Sequence, residues 1–298
     1  MRKNKSKFNH HGIVAWTFVL PYFSIFCVFT VLPVLISILL SFTDFNMLEM
    51  PGFIGLSNYT RLFLQDDIFI KSIGNTFILA LITGPIGYLL CLLFAWFINE
   101  LKPVGRAIVT LIFYAPSISG NMYLVWRAVF SGDAYGYLNG FLMNMGFISS
   151  PIIWLKDEKY ILTIVAIVSL WSSLGTSFLT FIAGFQGVDK SYYEASAIDG
   201  VTNRWQELWY VTMPLMRPQM LLSAVLSITA AFGVGTIVTQ LCGFPSTNYA
   251  AHTILNHLQD YGNTKYELGY ASAIATVLFI IMVLSNMVIR KIISKVGS

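Results

Sequence analysis

The chain predicts an all-α membrane protein with six membrane-spanning helices, and three observations carry that reading. Hydrophobic residues make up 56% of its 298 positions and charged ones only 11%, about half the charged share of an ordinary soluble domain. Six apolar runs, each with roughly the 20 residues needed to cross a hydrocarbon core, contain no Asp, Glu, Lys or Arg. Lys and Arg are divided unevenly between the segments that join those runs, which gives the chain a sidedness.

In order, the runs are Ile13–Phe42, Ile73–Ile98, Ala107–Trp126, Ile161–Phe185, Met220–Cys242 and Ala271–Ile289. The first is too long for the apolar core of a secretory signal, which spans about 7–15 residues; with Pro21 and Pro33 inside it, it is expected to be a tilted or kinked helix. An even number of spans puts both termini on one side. That side holds 12 of the 18 Lys and Arg residues and 5 of the 14 Asp and Glu, so both termini are expected in the cytoplasm. Outside, Thr43–Ser72 and Ser131–Tyr160 are long enough to carry short surface helices. Inside, Asn99–Arg106 is a tight turn around Pro103 and Gly105, whereas Gln186–Gln219 is long for a loop within a compact bundle.

Composition also excludes function classes. The formal charge is only +4 and the basic residues form no stripe that could follow a phosphate backbone, which argues against nucleic acid as a partner. Cys27, Cys91 and Cys242 fall in apolar runs and read as small buried hydrophobes. His10 and His11 lie in the basic amino-terminal arm, and His252 and His257 are five apart in a polar loop, off the i, i+4 spacing of helical metal ligands; no metal site is expected. There is no phosphate-binding G-x-x-x-x-G-K-[ST] loop and no nucleophile or acid–base set, so the chain is not expected to be an enzyme. Ion-coupled carriers keep carboxylates or basic groups at mid-membrane, whereas all 14 acidic residues here lie outside the spans. Any active transport must draw its energy from elsewhere.

The long cytoplasmic loop carries the most specific signal. Between Asp189 and Pro214, Ser191–Asp199 favours helix and Gly200 can close it in a left-handed conformation. Asn203 followed by Gln206 resembles a capping box for a second helix that should end before Pro214. Each piece is shorter than the ~12–15 residues at which an isolated helix is even marginal in water, so something must hold the pair. The membrane surface could do so through Trp205, Trp209 and Tyr210, or a groove on a soluble partner could.

Glu194-Ala195-Ser196-Ala197-Ile198-Asp199-Gly200, followed by Val211-Thr212-Met213-Pro214, resembles the Glu-Ala-Ala loop of permeases from binding-protein-dependent ATP-binding cassette importers. Ser196 stands where that pattern has a second alanine, and the Gly200 to Pro214 interval is one residue longer. Gly55-Leu56-Ser57-Asn58-Tyr59 with Asn75-Thr76, Trp154-Leu155 and Tyr192-Tyr193-Glu194 are similar to blocks of the maltose- and glycerol-phosphate-type sugar permeases, in the same order. The resemblance implies one permease domain over 1–298 of the type I importer kind, in the bacterial cytoplasmic (inner) membrane, with 186–219 as a coupling loop that docks on an ATPase through Glu194, Ala195, Ala197, Asp199 and Gly200. It further implies a second homologous permease, two ATPase subunits that hold the ATP and magnesium, an extracytoplasmic solute-binding protein and a carbohydrate substrate. No cofactor is implied for this chain.

In the fourth run Ser169, Ser172, Ser173, Thr176 and Thr180 recur at helical spacing, which puts five hydroxyls on one face. Such a stripe suits a sugar, but small polar residues also let helices pack closely in lipid. Trp171 points away from it by phase. In the fifth run Thr229 and Gly233 repeat the small or polar pattern at i, i+4. Two rivals stay open: a carrier or channel working alone, and a membrane scaffold without a pathway.

Overall fold

The computed structural model describes residues 10–120 and 122–293. Among them every regular element is helical, and one isolated bridge joins Thr43 to Phe53. The first apolar run forms α1 (His10–Phe26), a widened π-helical turn at Cys27–Val31, and α2 (Leu32–Leu40). The π turn precedes Pro33, whose ring would otherwise press on the carbonyl four residues back. Nothing in the most apolar window of Trp16–Leu40 is buried; this helix reaches the rest of the chain through contacts of α2 with the last helix.

The two long connecting segments Thr43–Ser72 and Ser131–Tyr160 each hold a short helix, α3 (Ser57–Leu64) and α7 (Tyr137–Asn144), as their length predicted. Between them run α4 (Asp67–Asn99), α5 (Pro103–Ile118) and α6 (Met122–Val129). The fourth apolar run forms α8 (Glu158–Ser172) and α9 (Thr176–Gly187). α10 (Lys190–Ile198) and α11 (Arg204–Gln206) follow, and α11 continues through a π-helical turn at Glu207–Thr212 into α12 (Met213–Leu215). The chain then forms α13 (Arg217–Phe232), α14 (Gly235–Cys242), α15 (Ile254–Gln259) and α16 (Leu268–Ile293).

Among the described residues, four helical stretches are long and apolar enough to cross a membrane: Trp16–Leu40, Asp67–Asn99, Glu158–Gly187 and Leu268–Ile293. The third run is instead bent by 86° between α5 and α6. In the fifth, α13 has only 16 residues, and with the arm Arg204–Leu215 before it it makes an angle of 83°. The described residues therefore hold four to six spans by length and composition.

α4, α9 and α13 pack against one another and form the centre of the bundle. Phe178 and Phe181 of α9 are fully buried there beside Cys91 and Ala95 of α4 and Met216 and Met220. Near the crossings the residues are small: Ser177 Oγ and Ser223 Oγ each donate to the other's carbonyl at 3.3 Å, and Ser227 Oγ donates to Ser177 Oγ at 3.1 Å. In lipid, close packing and interhelical hydrogen bonds replace the hydrophobic effect as the force between helices.

The end of the bundle where α4 begins is tied by side chains. Asp66 caps α4 by accepting from the Phe69 amide (2.9 Å), and its Oδ2 also accepts from Tyr270 (2.7 Å) and pairs with His257 Nε2 (2.9 Å). Burial alone would raise the Asp66 carboxyl, but these bonds outweigh it and hold the group well below the usual carboxylate range. Arg61 of α3 stacks 4.2 Å over the Tyr270 ring and pairs with Glu267 at 2.6 Å. His252 and His257 do not sit in an open polar loop, as their spacing and surroundings suggested: both are 1% exposed, with ring centroids 5.6 Å apart. Burial, helped by the neighbouring His257, pushes His252 down to about 4.

Candidate functional site

Two features stand out, a helical hairpin at one end and a polar cavity near the middle of the bundle. The hairpin follows its caps. Asp189 accepts from the Ser191 amide to start α10, and the helix closes in a Schellman motif, with Val201 N donating to Ser196 O (3.0 Å) and Gly200 N to Ala197 O (3.3 Å). Gly200 has φ +92° with open space where a Cβ would stand, so the glycine is required by backbone conformation and not by crowding. Asn203 accepts from Gln206 N at 2.9 Å, while the Gln206 side chain reaches back one residue too far, to Thr202 N at 3.0 Å. The capping box is thus met in one half only.

The second arm does not end before Pro214, as the sequence suggested. It runs to Leu215 because the turn Glu207–Thr212 is π-helical and moves the carbonyls that the proline ring would strike. The same device precedes Pro33. Leu208 and Met213 bury this arm against Ala95, Ile98 and Phe185, and Tyr193 OH lies 3.0 Å from Thr212 Oγ1 to join the two arms. Glu194, Ala195, Ala197, Asp199 and Gly200 are all exposed, and Ile198 beside them is 88% exposed. Ser196, which departs from the alanine pattern, turns inward and donates to Tyr193 O at 2.9 Å. The hairpin therefore has an anchored inner side and an open outer side bearing two carboxylates around an apolar tip.

The cavity, of about 420 Å³, forms where three helix breaks converge: Ile118–Gly120 between α5 and α6, Ser173–Gly175 between α8 and α9, and Gly233–Val234 between α13 and α14. Irregular backbone at membrane depth is tolerated only where it is covered by protein or lines a polar cavity. Ser169, Ser172, Ser173 and Gly233 line it, as do Ser177, Ser227 and Thr83. Ser172 and Ser173 donate to the carbonyls of Val168 (2.8 Å) and Leu170 (2.6 Å), leaving lone pairs to offer, whereas the buried Ser169 hydroxyl has no hydrogen-bond partner among the described residues. α4 presses close here: a Cβ on Gly87 would stand 2.9 Å from Ser173 Oγ. None of the lining residues carries a charge.

The hydroxyl stripe is thus split. Thr176 and Thr180 lie beyond the break at Ser173–Gly175 and do not line the cavity, and neither does Thr229, whose hydroxyl donates to Val225 O at 2.9 Å. Trp171 packs edge-on against Trp126 at 5.3 Å, outside the lining. Sequence reading passed over Ser177 and Ser227. Ser177 sits four residues after Ser173 and Ser227 four after Ser223, so the small-residue spacing of the fifth run was the available signal. Among the described residues no group of acidic, His or Cys side chains could hold a metal ion.

Residues 69–296 match the family described as "Binding-protein-dependent transport system inner membrane component". The chain is similar to the probable ABC transporter permease protein YesP of Bacillus subtilis (strain 168), with 30% identity over 98% of this chain and 93% of that one. It is also similar to the lactose transport system permease protein LacF of Rhizobium radiobacter, with 28% identity over 92% of this chain and 91% of that one. The fold resembles a chain in the crystal structure of a bacterial alginate ABC transporter in complex with an alginate pentasaccharide-bound periplasmic protein. There the TM-score is 0.76, at 24% identity, with 97% of each chain covered.

Proposed function

The chain belongs to the binding-protein-dependent transport system inner membrane component family, and on that premise we propose that it forms half of the translocation pathway of an ATP-driven carbohydrate importer. The family and the relatives are transport permeases and not enzymes. In this reading the six apolar runs all cross the bacterial inner membrane, the bent third and fifth included, with both termini and the hairpin in the cytoplasm. Residues 1–298 then act as one permease domain. A second homologous permease completes the channel, two ATPase subunits supply the energy, and an extracytoplasmic solute-binding protein delivers the sugar.

The observation that carries the proposal is the hairpin's exposed outer face. Asp189, Glu194 and Asp199 lie on or beside the first arm with Ile198 at its tip. Carboxylates suit the negatively charged cytoplasmic leaflet poorly, so the face is better matched to a groove on a protein than to the membrane surface. The serine-lined cavity supports the pathway. Hydroxyls and carbonyls without a nearby charge suit an uncharged saccharide, and Ser169, Ser172 and Ser173 of the stripe, with Gly233 of the fifth run, are the candidates that could meet it. Thr176 and Thr229 would contribute only on a route that leaves this cavity.

The test is co-purification of the ATPase with wild type, Glu194→Ala and Gly200→Val, with sugar uptake measured in reconstituted vesicles. Both variants should lose ATPase by about tenfold, equivalent to 1.4 kcal/mol of docking, while Ser173→Phe keeps the ATPase and loses uptake. Unchanged recovery and uptake in all three would defeat the proposal.

A further inference from the structure

The hairpin does not lie flat against the bundle. Between its arms and the cytoplasmic ends of α4, α5 and α9 is a cavity of about 490 Å³, whose walls include Trp96, Glu100, Arg106, Tyr193 and Arg204. Polar and aromatic contacts bridge this space. The Arg204 guanidinium pairs with Glu100, just past the end of α4, at 3.1 Å, and with Glu207 on its own arm at 2.8 Å. Next to it the Trp205 ring lies 4.8 Å from that of Trp96 on α4. Glu100 stands at the negative end of a long helix, where an anion is unfavourable unless it is neutralised. A guanidinium, with two forks in one plane, can hold two carboxylates at a fixed angle, which a lysine ammonium cannot.

We infer that Arg204, through Glu100, is a positioning residue that transmits displacement of the hairpin to α4. The inference rests on the docking role proposed above. Buried side chains of the second arm keep the hairpin attached, but beside an open cavity attachment does not fix its angle. A push on the exposed tip can rock the arm into the cavity, and the motion is then lost locally. With the strut in place the same push moves the end of α4, the helix that brings Thr83 to the polar cavity and packs Gly87 against Ser173.

The experiment uses the assembled transporter in vesicles and measures sugar molecules taken up per ATP hydrolysed for wild type, Arg204→Ala, Arg204→Lys, Glu100→Ala and the double alanine variant. Each variant should still co-purify with the ATPase. Uptake per ATP should fall roughly two- to fivefold in each single variant, Arg204→Lys included, the range a half-exposed ion pair can supply. The double variant should be no worse than either single, because the two residues act as one unit. An unchanged ratio in Arg204→Ala and Glu100→Ala, or a double variant whose loss multiplies those of the singles, would overturn the strut. Wild-type protein that recovers no ATPase would instead defeat the docking role beneath it. A purely structural role would lower the amount of folded complex and leave the ratio unmoved.

Discussion

The two ends of the bundle are held in opposite ways. At the end where α4 begins, Asp66 gathers a helix cap, a tyrosine hydroxyl and a buried histidine on one carboxylate, with Arg61 stacked on the same tyrosine. Four elements, α3, α4, α15 and α16, are locked there. At the hairpin end the charged contacts are more exposed, since Arg204 keeps 64% of its side chain in solvent, and Glu194, Ile198 and Asp199 on the hairpin's far face are exposed among the described residues. Burial makes a polar contact costly to break, and exposure makes it cheap to exchange. One end is built for permanence and the other for exchange.

The largest effect that would sharpen this contrast is on stability. Asp66→Ala should leave His257 and Tyr270 buried without their acceptor and cost about 3–5 kcal/mol, read as the steepest fall in thermal midpoint of the purified protein. A midpoint close to wild type would break the contrast. Next comes pH. His252 is held neutral down to about 4, so the unfolded chain takes up a proton first as pH falls below the ordinary histidine value near 6.5. Its contribution is whole above that value and is lost as pH drops towards 4, a window worth on the order of 2–3 kcal/mol. Asp66, with its lowered carboxyl, loses its contribution only at more acid pH, below the usual carboxylate range. Stability measured between pH 7 and 4 should therefore slope downward in wild type and much less in His252→Phe. The smallest effect belongs to the hairpin: Glu194→Ala should leave the thermal midpoint of the isolated chain where it is, even though ATPase recovery falls.

Much of this was legible beforehand. Hydropathy alone places the second, fourth and sixth runs inside helices of the expected extent, because lipid selects for apolar composition and leaves little else to specify. The hairpin was readable from Asp189, Gly200 and Asn203, since caps and left-handed turns are local chemistry. The break at Ser173–Gly175 was not, because no proline marks it and the hydroxyl spacing runs through it without interruption. Nor was the pairing of Asp66 with His257, separated by 191 positions, where only tertiary packing brings the partners together. The continuation past Pro214 was missed for a third reason: a π turn upstream removes the clash that normally makes proline a stop signal.

α4 joins these two ends. At 33 residues it is about 50 Å long, capped by Asp66 at its start and met by Arg204 through Glu100 at its other end. Gly84 and Pro85 stand near its midpoint, at the level where Thr83 lines the polar cavity and Gly87 packs against Ser173. Proline removes one backbone hydrogen bond there and glycine removes side-chain bulk. On the proposed docking, α4 would act as a beam clamped at one end, loaded at the other and thinned in the middle. A load on Glu100 would be taken up as flexure at the level of the cavity, with the half beyond Pro85 swinging as a pointer while the clamped half stays still.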